Sequence, residues 1–198
     1  MSSSVVEATR GLRFGRSLVS VVIGEPVDQP VEAVVYAANV RGVLGAGATG
    51  SIRLLAGEVV ERDAMARAPL PLGGAIVTGA GHLADRGILA VIHAVVTPTL
   101  GEPPHLDSVR LAIGAALLAA DARRLRSLAL PLVSAVGRDS APLTVAIIAG
   151  ATTEEIVGHL RRSVSRLERI VITVRFDDHV AAVNAALATA RARLWTSQ

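Results

Sequence analysis

The stretch from Val34 to Ile52, VVYAANVRGVLGAGATGSI, most limits what this chain can fold into. It reads as an apolar strand, a turn carrying Asn39, a glycine-rich loop and the start of a helix. Gly45, Ala46, Gly47, Ala48 and Gly50 carry little or no side chain, so the backbone there can approach a ligand closely. A helix opening near Gly50 would aim unpaired N–H groups and the positive end of its dipole at the same point. Strand, small-residue loop and helix N-terminus in that order make a cradle for phosphate.

The same residues spell G-x-G-x-x-G, which raises the dinucleotide-binding reading. That fingerprint needs its first glycine directly after the strand and an acidic residue at the end of a second strand about 20 residues on. Here the strand is expected to end near Tyr36, leaving Ala37 to Leu44 before the first glycine. Glu61 and Asp63 fall at the right distance but lie in ERDAMARAPLPLGG, a helix end followed by a proline-rich turn. A Walker P-loop is excluded by chemistry: it needs a lysine on the terminal phosphates, and all 20 basic residues are arginine.

Composition closes further routes. The absence of cysteine removes disulfides, thiol nucleophiles and thiolate metal sites, and the absence of lysine removes Schiff-base chemistry. The length suits one domain over residues 1–198, with 1–17 and 195–198 at its periphery. Mean hydropathy is high at +0.50, but the longest apolar run, Leu111 to Ala120, is closed by Arg110 and Asp121 and is too short to span a bilayer. The N-terminal MSSSVVEATRGLRF lacks an apolar targeting region, so a soluble cytoplasmic protein is expected. The pI of 10.8 overstates the field, because the net charge is only +3. Arg123, Arg124 and Arg126, and Arg161, Arg162, Arg166 and Arg169, sit where helices are expected to end. There they compensate helix dipoles, and with few aromatics to stack on bases no nucleic-acid partner is expected.

Short β-rich runs alternate with helical patterns. Strands are expected at Leu18–Ile23, Ala33–Tyr36, Ala75–Thr78, Leu89–Val95, Ser127–Leu130 and Arg169–Arg175, with one more near Leu12–Arg16. Helices are expected over Ser51–Arg67, Ser108–Arg124, Leu143–Arg162 and Asp178–Leu194. Strands apolar on both faces belong to a covered sheet. The fold class is therefore α/β: a three-layer α/β/α sandwich on a mixed, mostly parallel sheet of six or seven strands. Ligands of such sheets bind at the carboxyl ends of the strands, where the loops after Tyr36, Leu130 and Arg175 should gather.

From about Val19 to Leu187 the chain resembles the macrodomains, which bind ADP-ribose and related metabolites. The resemblance is carried in order by Gly24-Glu25-Pro26, by Tyr36-Ala37-Ala38-Asn39 with Gly45 to Gly50, and by Gly73 to Thr78 with Gly81-His82-Leu83. Val91-Ile92-His93 with Pro98 and Pro131-Leu132-Val133-Ser134-Ala135-Val136-Gly137 complete it. It implies that Gly45, Ala46, Gly47, Ala48 and Thr49 face Ser134, Ala135, Val136, Gly137 and Arg138 across a cleft, gripping a diphosphate with backbone N–H groups. Ala38 and Asn39 would lie beside the ribose, where the Asn39 amide both donates and accepts. Glu25, with Pro26, would accept from the adenine amino group, and Phe176 would pack on the adenine. Plainer roles stay open: a solvated turn for Glu25, a turn-former for Asn39, a core-edge aromatic for Phe176.

Departures from the family pattern bear on catalysis. Where hydrolytic macrodomains carry a catalytic aspartate, this chain has Thr49, whose hydroxyl cannot act as a carboxylate base. Tyr36 replaces the first asparagine of the family's Asn-Ala-Ala-Asn. The resemblance therefore implies binding of ADP-ribose or a related adenine nucleotide diphosphate, as ligand rather than cofactor, with weak or absent hydrolase activity. One alternative is hydrolysis of ADP-ribosyl or O-acetyl-ADP-ribose linkages using Asn39; another is a degenerate macrodomain serving as a dimerisation or scaffold module. Partners would be a nucleotide or an ADP-ribosylated protein, with no membrane and with a homodimer as an option. Ser134, His93 and Asp139 have the residue types of a triad, but His93 lies in a strand and no nucleophile elbow frames Ser134. The five histidines show no metal-ligand spacing.

Overall fold

A computed structural model of the chain describes residues 11–44, 48–133, 144–162 and 164–195. Seven strands form one sheet: β1 (Leu12–Phe14), β2 (Ser17–Ile23), β3 (Ala33–Asn39), β4 (Ala75–Gly79), β5 (Ala90–Thr97), β6 (Ser127–Pro131) and β7 (Arg169–Val174). Their order is β1-β2-β7-β6-β3-β5-β4. The five central strands are parallel, while β1 on β2 and β4 on β5 pair antiparallel at the two edges. This is a mixed, mostly parallel sheet, as expected.

Both faces are covered, which explains why β5 (AVIHAVVT) and β7 (RIVITV) are apolar throughout. On one face lie α3 (Leu106–Ala122), α4 (Val145–Arg162) and α5 (Asp177–Trp195). Their apolar residues recur at spacings of three and four, as Val109, Ala112, Ile113, Ala116 and Leu117 do in α3, and pack on Val19, Val35, Ile92, Leu128 and Ile170. On the other face α1 (Ala48–Ala56), α2 (Glu58–Met65) and two 3-10 turns, Pro26–Asp28 and Gly81–Arg86, enclose Val34, Tyr36, Val91, Ala129 and Val171. Burying one such Ile or Leu completely stabilises the fold by roughly 2–3 kcal/mol.

Three expected boundaries need correction. Strand β3 does not end near Tyr36: Ala37, Ala38 and Asn39 continue it beside β5, with an irregularity between Ala38 and Asn39. Asn is a poor strand former, but pairing with Ala94, Val95 and Thr97 outweighs that local preference. Helix α1 begins at Ala48, not near Gly50, so Ala48 and Thr49 belong to its first turn rather than to the loop. The first turn of a helix uses none of its own N–H groups internally, so Thr and Gly are tolerated there. The single helix expected over Ser51–Arg67 is two helices, because Gly57 adopts φ +83° and ends α1.

The turn at Gly81 shows why glycine is required at that point. Its φ is +55°, and a methyl group there would sit 2.0 Å from the Ala56 carbonyl oxygen. The 3-10 turn is thereby pressed onto the C-terminal end of α1. Edge strand β4 carries its own protection: the Arg67 guanidinium donates to the Val77 carbonyl at 2.8 Å, placing a charge where another strand would dock. Among the described residues no helix is long and apolar enough to cross a membrane.

Candidate functional site

Because β2, β7, β6, β3 and β5 run the same way, their carboxyl ends gather the segments that follow them. The Gly24 N–H donates to the Val174 carbonyl at 3.0 Å, and the Leu132 N–H donates to the Thr173 carbonyl at 2.8 Å. On the other side of β6, the Val40 N–H donates to the Thr97 carbonyl at 3.1 Å. Glu25, Arg175, Phe176, Leu132 and Asn39 are thus held at one end of the sheet by backbone bonds, independent of any ligand. The N-terminus of α1 opens at the same end, four residues past Leu44.

Asn39 is 3% exposed and its side chain is engaged. Its amide nitrogen donates to the Val43 carbonyl at 2.7 Å, and its amide oxygen accepts the Arg41 N–H at 3.0 Å. The Gly42 N–H closes the turn on the Asn39 carbonyl at 2.9 Å. Asn39 therefore braces the path from β3 to the glycine loop, as the turn-former reading had it. One amide hydrogen and one oxygen lone pair lie outside this bracing.

Glu61 holds the same path from the other side. Its Oε1 accepts the Leu44 N–H at 2.8 Å, and its Oε2 lies 3.3 Å from Arg53 Nε. Leu44 immediately precedes Gly45, so a carboxylate on α2 fixes the entrance of the glycine loop. The residue that fell at the ribose-binding distance of a dinucleotide fold thus supports a backbone turn instead. Sequence reasoning missed this role, and a lone Glu in a helix carries no signal of it.

Glu25 and Phe176 occupy the far side of the site. Glu25 Oε1 lies 3.7 Å from Arg175 Nη2, an ion pair the sequence did not suggest because its members are 150 positions apart. Pro26 is buried at the start of the first 3-10 turn, and the Asp28 N–H donates to the Glu25 carbonyl at 3.2 Å. Phe176 is 54% exposed, with the His179 ring edge-on at 5.2 Å. It is an aromatic face open to solvent, not a core-edge residue. Ala38 points into the sheet face beneath α1.

Gly45, Ala46 and Gly47, and Ser134, Ala135, Val136, Gly137 and Arg138, lie outside the described residues, as does Asp139. Ala48 and Thr49 are placed by their backbone in α1.

Beneath the site the same sheet face holds a polar chain. The Tyr36 hydroxyl donates to His93 Nδ1 at 2.5 Å, and His93 Nε2–H donates to Thr78 Oγ1 at 2.8 Å. The Thr78 hydroxyl in turn donates to the Gly79 carbonyl at 3.2 Å. This tautomer uses every donor in the chain. Burial, reinforced by the charge of Arg67, pushes His93 down from 6.5 to about 3, so it is neutral. Burial and then the Glu61 carboxylate push the Tyr36 hydroxyl far up, so it keeps its proton. His93 is a core histidine, with both ring nitrogens engaged by Tyr36 and Thr78.

Comparison with known proteins fits this architecture. An uncharacterized protein of Aquifex aeolicus is 39% identical over 141 residues, spanning 70% of this chain and 80% of that protein. A macro domain-containing protein of Caldanaerobacter subterraneus is 31% identical over 121 residues, 59% of this chain and 67% of that one. Among solved structures, an Oceanobacillus iheyensis macrodomain with ADP matches with a TM-score of 0.77 at 18% identity, over 92% of this chain and 96% of that one. A Trypanosoma brucei macrodomain in complex with ADP-ribose matches at 0.72 and 22% identity, over 85% and 68%. At such identities these two establish the fold alone. Residues 35–149, which run from β3 through the glycine loop to the first turns of α4, match the Macro domain family model, and the chain belongs to that family.

Proposed function

We propose that this chain binds ADP-ribose or a related adenine nucleotide diphosphate at the carboxyl end of its sheet, with weak or absent hydrolysis of ADP-ribosyl linkages. The observation that carries the reading is the meeting of α1's N-terminus, the braced Asn39–Leu44 path, the Glu25–Arg175 pair and the open face of Phe176 at one end of the sheet. The helix N-terminus and the loops around Gly45–Gly47 and Ser134–Arg138 would take the diphosphate through main-chain N–H groups. Phe176 would take the adenine, and Glu25, anchored through one oxygen by Arg175, would accept from its amino group. That solved macrodomains of this fold carry ADP or ADP-ribose supports the assignment.

Binding is favoured over hydrolysis by two features. Thr49 stands where the hydrolytic members of the family carry aspartate, and Asn39 is committed to bracing its own loop. Neither is a base for activating water. ADP-ribosylated proteins are the corresponding macromolecular partners.

The test is a thermal-shift and calorimetry panel of ADP-ribose, ADP, AMP and NAD. At a ligand concentration 100 times Kd the stabilisation is about 2.7 kcal/mol, a rise in melting temperature of roughly 5–10 °C for a chain of this size. Phe176→Ala should weaken ADP-ribose about fivefold while leaving the unliganded melting temperature within about 2 °C, because its ring is exposed. No heat and no shift with any of the four at millimolar concentration would end the reading. Release of ADP-ribose from a modified protein at a catalytic rate would shift it to the hydrolase alternative.

A further inference from the structure

The opposite end of the sheet, where the parallel strands begin, concentrates the positive charge of the chain. Three segments converge there: the β1–β2 turn, the loop from α3 into β6 and the loop from α4 into β7. They are tied by backbone bonds: the Leu18 N–H donates to the Glu168 carbonyl at 2.8 Å, and the Glu168 N–H donates to the Arg126 carbonyl at 2.7 Å. Arg16 Nε donates to the Ser165 carbonyl at 3.3 Å. Between them lies a groove of about 320 Å³ lined by Arg16, Arg126, Val164, Arg166 and Glu168.

Arg123 and Arg124 flank this groove at the end of α3, and Arg161 and Arg162 flank it at the end of α4; all seven arginines are exposed. The two helix ends are joined by His159 Nε2, 2.7 Å from Asp121 Oδ2. None of the seven guanidinium groups forms an ion pair among the described residues. The nearby carboxylates are occupied elsewhere or outnumbered. Asp121 accepts from Ser165 and from the Arg166 N–H, and Glu32 accepts the Arg126 N–H. Seven positive charges against Asp121, Glu168 and Glu32 exceed the net +3 of the whole chain, so the remaining surface carries no positive excess.

Dipole compensation explains the arginines that close α3 and α4. It does not explain the groove itself. Arg16 sits in a hairpin turn, Arg126 leads into a strand and Arg166 leads into a strand, none in the last turn of a helix. Three guanidinium groups share this groove with a single carboxylate, that of Glu168, so an excess of positive charge remains there to attract an anion. Among the residues whose side chains are described, no exposed aromatic stands beside these arginines for a base to stack on, so the surface suits phosphates rather than unpaired bases.

We propose that this arginine-lined pole, remote from the nucleotide site, binds the phosphate backbone of a nucleic-acid duplex without reading its sequence. The expectation from the sequence, that helix-end arginines need no such partner, omitted Arg16 and could not place the three segments side by side.

The experiment is fluorescence anisotropy of the full chain on a labelled 20-base-pair duplex of scrambled sequence between 50 and 200 mM KCl. Binding at 50 mM should lie in the micromolar range, with log affinity falling against log salt at a slope of about −4. In Arg126→Gln/Arg166→Gln the slope should drop to about −2 and affinity at 50 mM should fall about tenfold. Both side chains are exposed, so the melting temperature should stay within about 2 °C. Arg126→Glu/Arg166→Glu should abolish binding, and a single strand of equal length should bind less tightly than the duplex. Absence of binding tighter than about 100 μM at 50 mM KCl would overturn the proposal. So would an unchanged slope in the glutamine variant. Displacement of the duplex by polyglutamate at equal charge concentration would overturn it in favour of an acidic protein partner.

Discussion

Below about pH 6.5 the protein is expected to lose stability progressively, with His93 as a principal cause. The imidazole is fully buried between Tyr36 and Thr78, and burial together with the Arg67 charge lowers it to about 3. Between about 3 and 6.5 the unfolded chain binds a proton at this position and the folded chain does not. The unfolded state therefore gains as pH falls: the contribution is intact above 6.5, declines through the interval and levels off below about 3. Each pH unit in the interval is worth roughly 1 kcal/mol or slightly more, so at pH 4.5 the loss is on the order of 3 kcal/mol. That is a large share of the stability of a typical domain.

The measurement is urea denaturation of the wild type and of His93→Gln from pH 4.5 to 7.5. Glutamine can still accept from Tyr36 and donate to Thr78, but it does not titrate. Carboxylates elsewhere act equally on both proteins, so the difference between the two curves isolates one proton. The variant should be somewhat less stable at pH 7.5, because its shape differs from the ring it replaces, and should lose that deficit as the pH drops. Parallel curves would show that His93 takes up its proton equally in the folded and unfolded chains, and so is not held neutral by folding. Tyr36→Phe adds an independent check: it leaves Nδ1 without its donor in an apolar layer and should cost about 1–3 kcal/mol at neutral pH.

These two side chains also mark where the sequence was legible. Val91-Ile92-His93 could be placed in a strand because its neighbours are apolar on both faces, and the sequence located all seven strands to within a few residues. The edge strand β1, expected near Leu12–Arg16, is shorter at Leu12–Phe14 because the chain turns at Gly15 back into β2. That Tyr36 meets His93 was not legible. Their contact depends on a register between β3 and β5, set by residues 57 positions apart. The helix break at Gly57 was missed because Leu54, Leu55 and Val59 keep helical spacing across it. Only the positive φ at Gly57, where a methyl group would also meet the His82 ring at 2.9 Å, reveals that the spacing is interrupted. At the candidate site, Asn39 announced itself by type, since few residues serve a tight turn, while Gly45 and Gly47 lie outside the described residues. The ion pair of Glu25 with Arg175 did not, because exposed charges occur throughout the chain and nothing local couples these two.

Glu61 is the case in which a hidden contact bears on the proposed function. Its carboxylate joins α2 to the Leu44 N–H, one residue before the glycine loop, and is itself steadied by Arg53. Glu61→Ala should therefore do two things at once. It removes a hydrogen bond to a charged acceptor and strands a buried N–H, costing about 2 kcal/mol of stability. It also frees the loop that is proposed to enclose the diphosphate, so binding must first order that segment and ADP-ribose affinity should fall at least tenfold. Glu61→Gln separates these effects from loss of charge, since its amide oxygen can accept from Leu44 while the attraction to Arg53 disappears. If the anchor acts through the backbone bond, Gln keeps affinity within about threefold of wild type and recovers most of the stability. Should the two variants weaken binding equally while their melting temperatures differ, the carboxylate charge rather than the anchor would govern the loop. If neither changes affinity, the entrance at Leu44 is held by other contacts, and Glu61 is purely a packing residue of α2.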